Sequence, residues 1–470
     1  MTAAHPTPGL LAVAQHCAAL GAKQSAVAGQ LLDRAALHVL DWLGCAVQGC
    51  SSEQGQVFQR WLQTQAGGAL PTLAGRSTDS ATAAAFHGAL GSALEMDDVH
   101  RSSVLHPGPV VIPAALAATG GVSTTSGAAL LSAVIAGYEA MIRVGQSLGP
   151  VHYRHWHPTS TAGTVGAAAA AASVMGLGVA TTAHAMALAA TRAGGLWQLR
   201  HEATLAKSWH TAGAARDGVA AAQLAACGLS GPLAVIEGPS GWLAATAPGA
   251  DAGPLWEPRS QPWLLDVSFK PWPACRHAHP AMDALQEALA LATAAQQGQP
   301  LRAEQLECID VFTYADALRF CDHLHPQVEA QARFSLQHAL AAWVQWGPAQ
   351  LKHYQAHTLT EPAVKAMRER VHLHTDPAIE ARYPQQYGAR VVLHWRANAG
   401  AAPRRTQAQL ADTRGDPARP LSTKALQDKA RALMAAGGWS PARSEAALLA
   451  CAALPQAQDL CALQRAILGP

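Results

Sequence analysis

From Thr164 to Leu188 the chain is Ala- and Gly-rich, and it contains His184. Ala is too weakly apolar to make this stretch a convincing membrane span, so it predicts a buried helix. Small side chains also let helices approach one another closely. The same texture recurs through roughly the first 240 residues, where apolar runs at helical spacing are joined by short Gly/Pro/Ser turns. Helices are predicted over Leu31–Val47, Thr78–Asp98, Val110–Ala118, Ala128–Leu148, Thr164–Met175, Thr181–Ala190 and Lys207–Cys227. No fixed repeat stands out.

Proline then crowds the chain at positions 248, 254, 258, 262, 271, 273 and 280, which predicts a boundary. Beyond it, Ala281–Ala295 and Phe334–Trp346 read as helices, and Cys308–Tyr314 and Ala389–Trp395 alternate like strands. The later region is therefore mixed α and β. Gly415-Asp-Pro-Ala-Arg-Pro-Leu421 marks a turn before a final helical stretch.

At 470 residues the chain has ample length for a sizeable core, and with half of its residues apolar and 14% charged it is not a disordered polymer. The net charge of +2 comes without a basic block, so nucleic acid and anionic membranes are not expected partners. Nine dispersed cysteines, none in Cys-x-x-Cys, point to free thiols, a reducing compartment and no iron–sulfur cluster. The first residues lack the pattern of a signal peptide, and a cytoplasmic protein is expected.

Against this bland background, Ala93-Leu94-Glu95-Met96-Asp97-Asp98-Val99-His100, followed by His106-Pro107-Gly108-Pro109, gathers three carboxylates and two histidines. Such groups are costly to bury unless paired or used. Continuing the helical spacing of Phe86, Leu90 and Leu94 would set Glu95 and Asp98 on one face, before a rigid turn. A second constellation is His155-Trp156-His157-Pro158-Thr159-Ser160-Thr161. Its hydroxyls can cap the following helix, its backbone N–H groups can receive an anion, and His157 can move a proton. In the third, Lys207 and His210 share a helical face, and Lys207 is a candidate base or carboxylate ligand. In the fourth, prolines stiffen the loop Lys270-Pro-Trp-Pro-Ala-Cys275-Arg276-His277-Ala-His279. Arg276 there could grip a carboxylate bidentately.

These segments resemble the MmgE/PrpD family, which includes 2-methylcitrate dehydratases, cis-aconitate decarboxylase and an iminodisuccinate epimerase. The resemblance rests on the acidic segment with His-Pro-Gly, on Gly137-Tyr-Glu-Ala-Met-Ile-Arg143-Val-Gly145, on His157-Pro-Thr, on Lys207-x-x-His and on Lys270-Pro…Cys-Arg…His-Pro. It implies a mostly α fold: a large all-α domain over residues 1–266, an α+β lid over 267–409, and C-terminal helices over 410–470 that return to the first domain. It implies a cofactor-independent hydro-lyase for a small di- or tricarboxylate, as a homodimer. Glu95, Asp98, His106, His157 and Lys207 are then the expected catalytic groups. Lys270, Arg276, His279, Thr161 and Tyr314 are the expected substrate ligands. Here Glu95, Met96 and Val99 stand where relatives carry Asp, Phe and Thr, and Cys275 stands where cis-aconitate decarboxylase carries a His. Decarboxylation, epimerisation or a catalytically silent binding role are the alternatives. The His-x-His pairs at 155/157, 277/279, 323/325 and 372/374 show no third ligand at helical spacing, so no metal is expected.

Overall fold

Small side chains set the helix spacing in the first of two units. The structure, a computed structural model, describes residues 7–21, 26–121, 124–202, 204–295, 302–396 and 404–468. One unit comprises residues up to Leu199, Leu205–Ser268 and the chain from Ser422 on; the other comprises Arg200–Thr204 and Phe269–Leu421. The first unit contains α1 (Gly9–Gly21), α2 (Ala26–Ser51), α3 (Glu53–Gln63), α4 (Ser80–Ser92), α5 (Gly108–Ala118), α6 (Gly127–His155), α7 (Pro158–Val174), α8 (Val179–Ala190) and α9 (Lys207–Ala226). The apolar run breaks at Gly176 (φ +69°) into α7 and α8. Helix α7 is buried on all sides from Pro158 to Ala172 and packs against α5, α6, α8 and α9. That is the behaviour of a helix apolar all round.

Close approach explains the glycines here. A Cβ on Gly137 of α6 would lie 2.4 Å from Val111 Cγ1 and 2.9 Å from the Gly166 carbonyl of α7. One on Gly218 of α9 would lie 2.4 Å from Ala167 Cβ. Helix α6 is long and apolar enough to cross a membrane, but its most apolar window is 83% buried within the fold. It kinks at Gly149 (φ +64°), ahead of Pro150, and runs on to His155, beyond the predicted end at Leu148. Its Arg143 bonds Glu139 (2.8 Å) and the Pro254 and Glu257 carbonyls, while Glu139 accepts from the Trp263 N–H at 3.0 Å. Both charges are thus absorbed in anchoring the proline-rich segment. The C-terminal helix Thr423–Ala436 packs on α2, where Lys429 reaches Asp41 (2.6 Å) and the Met96 carbonyl.

Three sheets lie among the described residues. β1 (Gly67–Pro71) pairs with β2 (Ser77–Thr78), and β3 (Val99–His100) pairs with β4 (Val267–Ser268), both antiparallel. The second unit is built on β5 (Leu306–Thr313), β6 (Val371–Thr375), β7 (Ala389–Trp395) and β8 (Arg404–Leu410), in the order β6-β5-β7-β8. β6 runs parallel to β5, and the other pairs are antiparallel. The helix His279–Ala295 covers β7 and β8. The two predicted strands are β5 and β7. β6 and β8 are edge strands whose sequences, Val-His-Leu-His-Thr and Arg-Arg-Thr-Gln-Ala-Gln-Leu, lack a sustained apolar alternation.

Candidate active site

The helix predicted over Thr78–Asp98 stops at Ser92, so Glu95 and Asp98 do not share a helical face. Three later contacts are incompatible with further helix. Asp98 Oδ2 accepts from His38 Nδ1 (2.7 Å) and from the Tyr138 hydroxyl (2.6 Å), and Oδ1 accepts from the Gly108 N–H (2.8 Å). Val99 and His100 are also held in the β3–β4 ladder. The chain reaches these positions through Glu95 at φ +55°, and the turn after His100 places Val104 at φ +48°. Non-glycine residues rarely adopt this region, a β-branched one least of all, and such strain gathers at functional sites.

Asp98 thereby accepts on both oxygens while buried, and it anchors α2, α6 and the Pro-Gly turn to one another. Burial lowers the His38 pKa to about 4 despite the pull of Asp98, so His38 is a neutral donor. Gly108 is required because a Cβ there would lie 2.7 Å from Asp98 Oδ1. The Pro-Gly turn thus clamps the carboxylate and delivers His106.

The His106 Nδ1 faces two acceptors, the Asp98 carbonyl at 2.8 Å and Asp97 Oδ2 at 3.0 Å. Its backbone N–H donates to Thr159 Oγ1 at 3.1 Å. Because both neighbours accept, Nδ1 carries a proton. The side chain keeps 13% exposure, against 2% for Asp97. A buried carboxylate behind an accessible imidazole is the arrangement of an oriented general base.

Lys207 and Glu95 form an ion pair with side chains 15% and 7% exposed. Lys207 opens α9, and His210 lies one turn on, as its spacing predicts. His210 Nδ1 lies 3.1 Å from His157 Nδ1, so one ring must donate and the other accept. Burial, then the charge of Lys207, lower the His210 pKa to about 4, so His210 is neutral. His157 caps α7, is buried, and packs on Trp197 with ring centroids 4.2 Å apart. Gly195 (φ +122°) leaves room for this pair, since a Cβ would meet Ser160 Cβ at 2.8 Å and His210 Nδ1 at 3.3 Å. Glu95, Lys207, His157 and His106 thus belong to one connected neighbourhood, joined by His210 and the first turn of α7.

Helix α7 begins at Pro158, six residues before the predicted Thr164, because proline at the first position preorganises the turn. Thr159, Ser160 and Thr161 are consequently inside the helix, and the N–H groups of Ser160 and Thr161 bond the His157 carbonyl. The Thr161 hydroxyl meets His152 Nε2 at 2.9 Å. Thr161 therefore joins helices here, correcting its assignment to an open anion-binding helix end.

In the second unit, Arg276 pairs with Asp416 and approaches the Arg414 carbonyl and His279 Nδ1, each at 3.2 Å. His279 Nε2 meets the Ala274 carbonyl at 3.0 Å. This set braces the Gly415 turn, where Gly415 (φ +93°) packs against the Phe269 carbonyl. Lys270 is fully buried next to that contact. The Tyr314 hydroxyl lies 2.8 Å from His277 Nδ1 inside an aromatic cluster with Tyr383 and Tyr387. Cys275 is buried, and its N–H donates to the Arg333 carbonyl.

Sequence reasoning missed His38 and Tyr138 as partners of Asp98 and Asp97 as the partner of His106. A buried tyrosine hydroxyl needs an acceptor, which was a usable signal for Tyr138. His38 gives no local signal, because its partner is 60 residues away.

Comparison with known proteins bears on this geometry. The model of the MmgE/PrpD N-terminal domain matches residues 12–255, and that of the MmgE/PrpD C-terminal domain matches residues 272–454. The chain is 28% identical to the cis-aconitate decarboxylase of Mus musculus over 378 residues, covering 76% of this chain and 74% of that protein. It is 27% identical to the Homo sapiens cis-aconitate decarboxylase over 381 residues, covering 76% and 75%. A cis-aconitate decarboxylase-like protein of Aspergillus oryzae is 29% identical over 247 residues, 50% of this chain, and the match spans only about half (51%) of that relative.

Proposed function

Since the chain belongs to the MmgE/PrpD family of enzymes, we propose that it is a lyase for a small di- or tricarboxylate, acting by proton transfer at the carbon next to a carboxylate. The observation that carries this reading is His106, whose Nδ1 is hydrogen-bonded to the Asp98 carbonyl with the Asp97 carboxylate 3.0 Å away, so that Nε2 is the ring atom turned to a substrate. In the dehydratase form, Nε2 takes the α proton of a hydroxy acid of the 2-methylcitrate type. The C–H electrons pass into the aci-carboxylate and then form the C=C bond as the C–O bond breaks. Lys207, held by Glu95, stabilises the negative charge that develops, where preorganised charge matters most. His157, entering the step as an imidazolium beside the neutral His210, supplies a proton to the departing hydroxyl and ends as a neutral ring. Asp97 stabilises the His106 imidazolium in the meantime.

Decarboxylation is the second reading, favoured by the names of the mouse and human relatives. There the C–CO₂ bond breaks, its electrons enter an aci-carboxylate, and His106, protonated beforehand from solvent, donates that proton to carbon. Epimerisation would use the same proton transfer without elimination. The reading includes a cytoplasmic homodimer working without a cofactor, supported by the family resemblance; light scattering tests the oligomer.

The test is proton NMR of chelator-treated protein with 2-methylcitrate, citrate, cis-aconitate, malate and iminodisuccinate. Loss of a hydroxyl-bearing carbon with a new vinyl signal is the expected result. CO₂ release from cis-aconitate would select the second reading, and inertness toward the whole panel would overturn both.

A further inference from the structure

The exposed face of the second unit's sheet gathers metal-binding side chains that the proposed reaction does not use. Register explains how. Asp310 of β5 stands opposite His372 of β6, and Phe312 stands opposite His374, in the parallel pair. Cys308 of β5 stands opposite His394 of β7 in the antiparallel pair. Residues two apart share a face, so Cys308, Asp310, His372, His374 and His394 all project to the same side. Three strands separated by long stretches of chain thus deliver one thiol, one carboxylate and three imidazoles to one patch.

The atoms converge. His394 Nε2 lies 2.8 Å from Asp310 Oδ2, and His374 Nε2 lies 3.0 Å from Asp310 Oδ1. His372 Nδ1 lies 3.5 Å from the same Oδ1. One ligand atom each from Cys308, Asp310 and His394 falls within 4.8 Å of the others. Around a tetrahedral zinc ion, bonds of about 2.0–2.3 Å place ligand atoms roughly 3.5 Å apart. Closing Cys308, Asp310 and His394 onto an ion therefore needs rotamer shifts of about an ångström, with the strand backbones left in place. The Asp310 side chain is 23% exposed and that of His374 43%, which leaves the patch open to solvent.

We propose that Cys308, Asp310 and His394, with His374 as fourth ligand, bind a divalent transition metal of the zinc type on this sheet face. The donor set is sulfur, nitrogen and oxygen, which suits a borderline-soft ion and excludes calcium and magnesium. Bound there, the ion ties β5 to both of its neighbours, so its role is to stiffen the sheet. His374 of the His372-x-His374 pair gains its fellow ligands from strands that local spacing could not reveal.

The test is titration of the metal-free, reduced, full-length protein with Co²⁺, followed by displacement with Zn²⁺. The expected result is one equivalent of Co²⁺ giving visible bands of tetrahedral coordination and a near-ultraviolet thiolate charge-transfer band. Cys308→Ser should abolish the thiolate band, and His394→Ala should weaken binding by about tenfold or more. His325→Ala, a histidine outside the cluster, should change nothing. Zn²⁺ should raise the melting temperature of the parent and not of the His394→Ala variant. Absence of tetrahedral bands, or a thiolate band that survives Cys308→Ser, would overturn the proposal. Circular dichroism establishes that each variant is folded. None of these readouts depends on turnover.

Discussion

Asp98 illustrates how one side chain can govern the site without touching substrate. Its oxygens accept from His38, Tyr138 and the Gly108 N–H, all buried. Asp98→Asn keeps the shape but must turn an amide NH₂ toward one of those donors. We expect it to cost about 2 kcal/mol of stability, with Asp98→Ala costing about 3 kcal/mol or more, measured by denaturant unfolding. His106 behaves oppositely: it is partly exposed, and among the described residues its ring is hydrogen-bonded only through Nδ1. His106→Gln should lower kcat by about 10²–10⁴-fold with little change in melting temperature. Asp97→Asn should lower kcat less, because it removes the charge behind the ring and leaves the Asp98 carbonyl in place. Glu95 and Lys207 act as a pair, so losses of transition-state stabilisation from Glu95→Gln and Lys207→Met should not add. A double-mutant cycle on kcat/KM should show a coupling of about 0.5–3 kcal/mol, and additivity would place them in separate roles. His106, His157 and Lys207 could be singled out as candidates because reactive groups stand out in an Ala-rich chain. The saturation of Asp98 could not, because it depends on partners 40 and 60 residues away.

At the scale of elements, the helices were readable from spacing and the ends were not. Lys207–Ala226 and Val179–Ala190 fall within two residues of their predicted limits. Helix α4 ends six residues early, because Asp98 and the β3–β4 ladder claim the chain after it, and no local propensity encodes that claim. The strands split the same way: β5 and β7 carry three or more apolar residues each, whereas the edge strands β6 and β8 carry only two, too few to stand out. Packing between α6 and α7 rests on the absence of side chains at Gly137 and Gly166. Gly137→Ala, whose Cβ would meet Val111 Cγ1 at 2.4 Å, should destabilise by about 1–3 kcal/mol or more in thermal or denaturant unfolding.

Across the whole molecule, buried neutral histidines make the fold acid-sensitive. Burial lowers the pKa of His38 and of His87 to about 4 and that of His100 to about 3, against 6.5 in the unfolded chain. As pH falls the unfolded chain takes up protons first, so this stabilisation is full above pH ~6.5 and lost toward the folded values. His38 and His87 alone should remove about 3 kcal/mol between pH 6.5 and 5. A melting temperature flat across that range would contradict it. The mostly α class was legible from Ala and Gly spacing, and the family from motifs spread over both matched regions. The central claim is that His106 Nε2 moves a proton at the carbon next to a carboxylate. Its most direct test is deuterium incorporation at that carbon in D₂O, with 2-methylcitrate and cis-aconitate, for the parent and for His106→Gln. The account predicts label at the α carbon of recovered substrate or product with the parent and a loss of at least about 100-fold in its rate with the variant. Labelling at an undiminished rate by His106→Gln would contradict it.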